Sequence, residues 1–301
     1  MSEQYLKAND NHLIYIKIWE AQKPKAIIHI LHGMREYINR YDEFAIFLVE
    51  NGYTVIGHDH RGHGKSMENN KTGYFSKKNG WNKVVNDVKI VNNFITDKYN
   101  NLDVFMLGHS MGSFILREYL YKFGSSSNIK GAIISGTGNP NALLVSFGYR
   151  LTYIIELFKG SLYKSKFVEN LSFRGYDDHF KNKEVKNWLT SDIQKYKDFK
   201  KYEYSFKLMP VIFYKDFYSG IKNIIKEKSF KINIPLFIIS GSEDPVGNYG
   251  VDVKKVIEKY SKYTLVENKL YNGFRHEVLN EVNRNVVYND ILNWINKYRG
   301  W

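Results

Sequence analysis

The stretch that decides the fold is Gly108-His109-Ser110-Met111-Gly112, a G-x-S-x-G pentapeptide. An apolar run at 102–107 predicts a strand directly before it, and helical spacing predicts a following helix that extends to about residue 123. A strand that turns abruptly into a helix strains its turn residue, and the flanking glycines leave room for the crossing backbone. Such a turn exposes the Ser110 hydroxyl, so Ser110 is the candidate nucleophile.

Strands and helices alternate on both sides of this turn. Apolar runs predict strands at 12–19, 26–31, 53–57, 129–135, 234–240 and 263–270. Helical spacing predicts helices at 41–50, 81–98, 251–260 and 284–298. Apolar runs of this length are typical of parallel strands that are covered on both faces. The alternation predicts an α/β protein with a mostly parallel, doubly wound sheet.

The alternation stops between about residues 136 and 232, where helical and loop patterns dense in Tyr, Phe and Lys take over. We therefore predict a core domain of residues 1–136 and 233–301, with a helical cap (lid) inserted at 137–232. No linker rich in Gly, Ser or Pro marks the boundaries, which indicates that the insertion packs on the core domain.

The composition excludes several classes of protein. The 301 residues are 43% hydrophobic, which is enough for a large core, and none is a cysteine. The lack of cysteine excludes disulfides, thiolate metal sites and a cysteine nucleophile. The N-terminus lacks the apolar segment of a signal peptide, and no apolar run approaches the roughly 20 residues that span a bilayer. We expect a soluble, cytoplasmic protein.

The net charge of +13 is concentrated in the predicted cap, where residues 138–232 have 18 Lys and Arg but 10 Asp and Glu. Clustered basic residues attract nucleic acids and anionic membranes. No helix-turn-helix or zinc-knuckle pattern accompanies the charge, so we expect no nucleic-acid binding. A general bias toward Lys is the simplest interpretation, and transient contact of the basic cap with lipid surfaces is the alternative. The pattern assigns no oligomeric state.

The segment Leu31 to Glu36 directly follows a predicted strand and is a candidate oxyanion loop. A serine hydrolase needs two backbone N–H groups aimed at the developing oxyanion, one after the nucleophile and one from an early loop. These would be the amides of Met111 and Met34. Gly33 permits a close backbone approach, and His32 is expected to hold the loop by hydrogen bonds. A simple turn is the alternative interpretation.

The candidate acid and base also follow predicted strands. Asp244 is placed to accept a histidine N–H, and Pro245 favours an extended conformation that aims its carboxylate. Glu243 is the rival carboxylate, and helix capping is the alternative role for Asp244. His276 lies in a polar loop after the last strand. Ser110, Asp244 and His276 occur in the order nucleophile, acid, base that is expected of this architecture.

The loop at 59–66, Asp-His-Arg-Gly-His-Gly-Lys-Ser, has two histidines spaced like metal ligands. No carboxylate or thiolate pattern completes a zinc site, and the glycines do not form a phosphate-binding loop. We interpret the segment as a structured loop beside the active site. We expect no metal and no organic cofactor.

The chain resembles the monoacylglycerol lipase and lysophospholipase branch of the α/β-hydrolases, related to the serine aminopeptidase-like hydrolases. The matching segments are His32-Gly33 with Glu36, 59–66, 108–112, 241–247 and 275–277. The resemblance implies the α/β-hydrolase fold, a helical cap over Ser110 and an ester substrate with an acyl chain. The resemblance implies that His109, like His32 and Gly33, supports the loops around Ser110. Residues 187–192 resemble a family segment, but the cap has no specificity motif.

These residues predict a serine carboxylic ester hydrolase that acts on acyl esters, monoacylglycerol or lysophospholipid in particular. His276 would deprotonate Ser110, which attacks the ester to form an acyl-enzyme, and water would release the acid. Residues 142–158 would line the acyl pocket, with ordinary packing as the alternative. The open alternatives are another serine hydrolase, such as a small-ester esterase, a thioesterase or a proline iminopeptidase-like peptidase, and a non-catalytic lipid-binding protein.

Overall fold

One eight-stranded sheet organises the part of the chain that the computed structural model describes, which is residues 1–126, 128–203, 205, 207–227 and 233–300. The strands are β1 (Ser2–Lys7), β2 (Leu13–Trp19), β3 (Ile27–Leu31), β4 (Thr54–His58), β5 (Val104–His109), β6 (Ile129–Ser135), β7 (Leu236–Gly241) and β8 (Val266–Tyr271). Their spatial order is β1-β2-β4-β3-β5-β6-β7-β8.

The sheet is mostly parallel, as predicted. Strands β3 to β8 run parallel to one another, whereas β2 pairs antiparallel with both β1 and β4. The sequence pattern did not predict β1. This edge strand is almost entirely exposed, so its side chains lack the apolar alternation that marks a half-buried strand.

The strand register brings the predicted site loops to one edge of the sheet. In the centre, Leu31 of β3 lies beside Gly108 of β5, and His109 lies beside Ser135 of β6. The neighbouring pair β7 and β8 ends at Gly241 and Tyr271, which are also register partners. Because loops after parallel strands meet at their carboxyl ends, the segments after β3, β5, β7 and β8 converge.

Helices cover both faces of the sheet, and successive residues of β5 show the two layers. Phe105 packs in a cluster with residues of α1 and α9, whereas Met106 packs with residues of α2 and α3. This alternation follows from the period of two along a strand. The helices are α1 (Asp42–Glu50), α2 (Gly80–Lys98), α3 (Met111–Phe123), α4 (Ala142–Lys159), α5 (Lys166–Phe173), α6 (Ile193–Lys201), α7 (Val211–Lys226), α8 (Val251–Tyr260) and α9 (Asn285–Tyr298).

Helices α4 to α7 lie between β6 and β7, in the region predicted as the cap. Helix α7 packs against α4 on one side and against α2 and α3 of the sheet layer on the other. The predicted C-terminal boundary of the cap, at 232, lies outside the described residues. Across the described ranges, no helix combines the length and the apolar character needed to cross a bilayer.

Candidate active site

Ser110 occupies a strained turn between β5 and α3. Its backbone is left-handed, with φ 52° and ψ −119°. A Cβ at Gly108 would lie 2.5 Å from the Gly112 carbonyl oxygen, and a Cβ at Gly112 would lie 2.2 Å from the Leu31 carbonyl oxygen. Any larger residue at either position would collide with backbone, which is why the tight turn needs both glycines.

The structure places Ser110, His276, Met34 and Met111 in the lining of one cavity of about 630 Å³, which we call the substrate cavity. The loop after β3 lies close to the serine, because a Cβ on Gly33 would be 3.1 Å from the Ser110 Cβ. The two backbone segments predicted to supply oxyanion donors therefore border the same space as the hydroxyl.

Asp244, rather than its rival Glu243, is the carboxylate that contacts His276. Both Asp244 carboxylate oxygens lie 2.9 Å from His276 Nδ1. Oδ1 of Asp244 also accepts the Val246 N–H at 2.9 Å, which holds the carboxylate in a local turn. Glu243 instead accepts from Lys183 Nζ at 2.6 Å. Helix α8 begins only at residue 251, so Asp244 does not cap it.

The Asp244 carboxylate controls the protonation of His276. Burial alone would lower the pKa of the imidazole, but the charge and hydrogen bond of Asp244 outweigh burial and raise the pKa above its ordinary value. With Nδ1 donating to Asp244, Nε2 is the nitrogen that can accept a proton. The pair can therefore take up a proton and stabilise the resulting imidazolium.

The loop that contains His276 is held by the segment at 185–190, which we call the clamp segment. The Trp188 carbonyl accepts the His276 N–H at 3.3 Å, and the Trp188 ring centroid lies 4.8 Å from the imidazole centroid. Arg275 Nη1 donates to three carbonyls of the clamp segment at 2.6–3.1 Å. The family-like pattern at 187–192, to which the sequence analysis gave no role, lies largely in this clamp.

A buried ionic network beneath His276 was missed by the sequence analysis. The Arg40 guanidinium makes a two-pronged ion pair with Glu277 at 2.7 and 2.8 Å and lies 3.4 Å from a carboxylate oxygen of Glu36. The same Glu36 oxygen lies 3.5 Å from His109 Nε2, and the His109 ring centroid is 4.8 Å from that of His276. His109, predicted as a supporting residue, therefore lies between the network and the histidine.

The network is electrostatically asymmetric. Burial raises the pKa of Glu36. Burial would also raise the pKa of Glu277, but the Arg40 charge overcomes it and lowers the pKa below its ordinary value. Among the described residues, Glu36, His109 and Glu277 are the group of three side chains close enough to share a metal ion. The Arg40 cation already lies between the carboxylates, which fits an internal ion pair better than a bound cation.

The remaining predicted histidines hold loops. His32 Nδ1 lies 2.7 Å from the Gly33 carbonyl oxygen, and His32 Nε2 accepts the His60 N–H at 3.0 Å. Asp59 accepts the N–H groups of Ile38 and Lys65, both at 2.7 Å. These bonds tie the loop at 59–66 to the loop after β3.

Comparison with known proteins assigns the chain to a family. The chain matches the family model described as "Serine aminopeptidase, S33" over residues 22–283. It is 41% identical to the monoglyceride lipase homologue of Monkeypox virus over 109 residues, which are 35% of this chain and 37% of the viral protein. It is 24% identical to phospholipase YtpA of Bacillus subtilis over 285 residues, 90% of this chain and 95% of that protein.

A solved structure shows the same fold. The carboxyl esterase of Bacillus coagulans, solved in complex with glycerol, superposes with a TM-score of 0.87 at 24% identity. The superposition covers 99% of this chain and 98% of that one. The predicted fold class, an α/β-hydrolase with a mostly parallel sheet, is thereby confirmed.

Proposed function

Because the chain belongs to the serine aminopeptidase S33 family of α/β-hydrolases, we propose that it is a serine carboxylic ester hydrolase that acts on monoacylglycerol or lysophospholipid. The observation that carries the proposal is the substrate cavity, which brings Ser110 and His276 together with a long apolar wall. The names of the viral and bacterial relatives, a monoglyceride lipase homologue and a phospholipase, agree with such substrates.

In the proposed mechanism, His276 Nε2 takes the proton of the Ser110 hydroxyl as Oγ attacks the ester carbonyl carbon. The backbone N–H groups of Met34 and Met111 would stabilise the oxyanion of the tetrahedral intermediate. The His276 imidazolium then donates its proton to the leaving alcohol, which leaves an acyl-enzyme. Water repeats the sequence, with His276 as base, and releases the fatty acid. Asp244 holds the imidazole and stabilises its charged form.

The wall of the substrate cavity supports an acyl substrate. Apolar side chains from both the sheet layer and the inserted helices contribute to it, including Phe114 of α3, Val145 and Phe147 of α4, and Phe217 of α7. An apolar wall stabilises a bound hydrocarbon chain through burial and offers little to a polar peptide. We therefore propose that residues 137–232 act as a cap that completes the acyl site over Ser110.

An activity-based probe and a substrate series test this proposal. A fluorophosphonate should label Ser110, and the protein should hydrolyse monoacylglycerols with rates that depend on acyl chain length. A thioester and a proline p-nitroanilide serve as competing substrates. Preferred hydrolysis of the anilide would favour a peptidase, and failure of the probe to label the protein would favour a non-catalytic lipid-binding role.

The outer surface of α4 suggests where the lipid comes from. Six of its large apolar side chains, which we call the apolar cap face, are 51–81% exposed, and they are Leu143, Leu144, Phe147, Ile154, Leu157 and Phe158. Leu144 and Phe147 also line the substrate cavity. An exposed apolar patch with basic neighbours, here Lys159, Lys164 and Lys166, is typical of a surface that contacts lipid. We propose that this face touches lipid surfaces transiently.

Replacing Leu157 and Phe158 together by serine is expected to weaken binding to phosphatidylglycerol vesicles by about tenfold or more, because both side chains lose apolar burial. Vesicle sedimentation measures the change, and raised salt should weaken binding of the unchanged protein. The control is Tyr121→Ser, which removes a 44% exposed aromatic ring from α3. Equal binding by all three proteins, or binding that ignores salt and anionic lipid, would refute the proposed contact.

A further inference from the structure

A second cavity of about 500 Å³, which we call the side pocket, adjoins the substrate cavity. The two share Phe114, Pro140, Asn141, Ile221 and Asp252 in their linings. Three cationic side chains line only the side pocket. They are Arg117 of α3 and Lys255 and Lys259 of α8. The apolar substrate cavity therefore borders a polar pocket lined by cationic side chains.

Arg117 gives the side pocket a rigid cationic wall. Its side chain is only 2% exposed, and Nε donates to the Tyr260 hydroxyl at 3.0 Å. Nη1 donates to the Gly138 carbonyl at 2.9 Å and to the Thr137 hydroxyl at 3.2 Å. Within the described part of the chain, Nη2 has no hydrogen-bond partner. The guanidinium is thus fixed in place, with one nitrogen still able to donate.

The charges around Arg117 are only partly balanced by carboxylates. Asp252 is the acid of the lining, and it already pairs with Lys255 at 2.7 Å. Behind the lining, Glu227 lies 3.7 Å from Lys259 Nζ, and burial raises the pKa of Glu227 to about 7. Burial and the nearby Arg117 charge lower the pKa of Lys259. Arg117 and Lys259 thus share the single carboxylate of Glu227, and the remaining positive charge favours the binding of an anion.

The first turn of α4 adds to the positive potential. Ala142, its first residue, and Asn141, its N-cap, both line the side pocket. The Asn141 side chain accepts the N–H groups of Leu143 and Leu144, at 2.9 and 3.3 Å. The amino-terminal end of an α-helix carries a partial positive charge, which favours an anion nearby. This charge adds to those of Arg117 and the two lysines.

We propose that the side pocket binds a phosphate group, and that this is the head-group phosphate of a lysophospholipid whose acyl chain lies in the substrate cavity. The assignment rests on the proposed esterase function and narrows its substrate class. A phosphate oxygen can accept hydrogen bonds from a guanidinium and from ammonium groups at once. The glycerol of a monoacylglycerol is uncharged and would leave the net positive charge of the side pocket unneutralised.

Two substrates that differ only in the phosphate test the proposal. Decanoyl glycerol 3-phosphate and decanoylglycerol are assayed below their critical micelle concentrations with the intact protein. The double substitution Lys255→Gln and Lys259→Gln should lower the ratio of kcat/KM for the phosphate ester to that for decanoylglycerol by about tenfold or more, because charge-assisted hydrogen bonds are lost. Lys254→Gln removes an exposed cation of α8 outside the pocket and should leave the ratio within about twofold.

Inorganic phosphate separates the possible sources of the anion. It should inhibit hydrolysis of the phosphate ester competitively, and the double variant should lose this inhibition. An unchanged substrate ratio would overturn the head-group assignment, even if free phosphate bound to the pocket. If neither ester were hydrolysed, the esterase proposal would be refuted, independently of the phosphate site. Calorimetry with inorganic phosphate would then decide the phosphate site, since binding that the double variant loses supports it and no binding overturns it.

Discussion

Replacement of Ser110 by alanine is expected to reduce kcat for a p-nitrophenyl ester by about 10⁴-fold or more. The acyl group would have no oxygen to attach to, and the remaining amides and imidazole could only polarise the ester and bound water. Alanine differs from serine by one oxygen and meets the same left-handed backbone at φ 52°. The thermal unfolding midpoint should therefore stay close to that of the unchanged protein.

Ser76→Ala is the matched control, because this hydroxyl accepts from Lys83 Nζ in the sheet layer and does not line the substrate cavity. It should keep kcat within about twofold. A Ser110→Ala protein that retained full turnover, with an unchanged unfolding midpoint, would falsify the assignment of the nucleophile. Loss of turnover together with loss of folding would instead call for fluorophosphonate labelling of the unchanged protein to locate the nucleophile.

Asp244→Asn is expected to lower kcat by about 10³- to 10⁴-fold. An asparagine amide can donate to His276 Nδ1, which favours the tautomer whose Nε2 carries the proton and cannot accept one from Ser110. It also removes the negative charge that stabilises the imidazolium. Glu243→Gln is a close control, since this neighbouring carboxylate contacts Lys183 rather than the histidine. Its kcat should change by less than about threefold.

The same substitution should shift the pH profile. His276 must be neutral to accept the Ser110 proton, so kcat/KM falls as the pH drops through the raised pKa of the histidine. Loss of the Asp244 charge lowers that pKa, and the acidic limb moves to lower pH. Part of the elevation should remain, because the charges of Glu277 and Glu36 also raise the pKa of His276. An unmoved limb would mean that another group controls it.

Local hydrophobic patterns predicted those helices that bury one apolar face and those strands that consist of a buried apolar run. Strand β6 and helix α8 have the predicted bounds, at 129–135 and 251–260, because polar turn sequences flank each of them. The strained turn at Ser110 was predictable because the glycines that it needs lie within the same five residues of sequence. Strand β1 was missed because its pairing with β2, rather than any pattern of its own, makes it a strand.

The contacts between parts of the site that are distant in sequence were only partly predictable. Sequence alone favoured Asp244 over Glu243 on the strength of the following proline, whereas the structure separates them by what each carboxylate touches. The pairing of Arg40 with Glu277 joins residues 237 positions apart. No periodic signal reports such a contact, because it arises only when the loops after β3 and β8 meet at the edge of the sheet.

Because the clamp segment belongs to the proposed cap region, the position of that region and the alignment of His276 are thermodynamically linked. Moving the clamp away from the sheet would break the bonds that Arg275 and His276 make to its carbonyls. Any interaction that favours this bonded arrangement must therefore also favour the aligned imidazole, and the coupling acts equally in both directions. If residues 137–232 act as the proposed cap, an acyl chain that fills the substrate cavity would thus help to align His276 for cleavage of its ester.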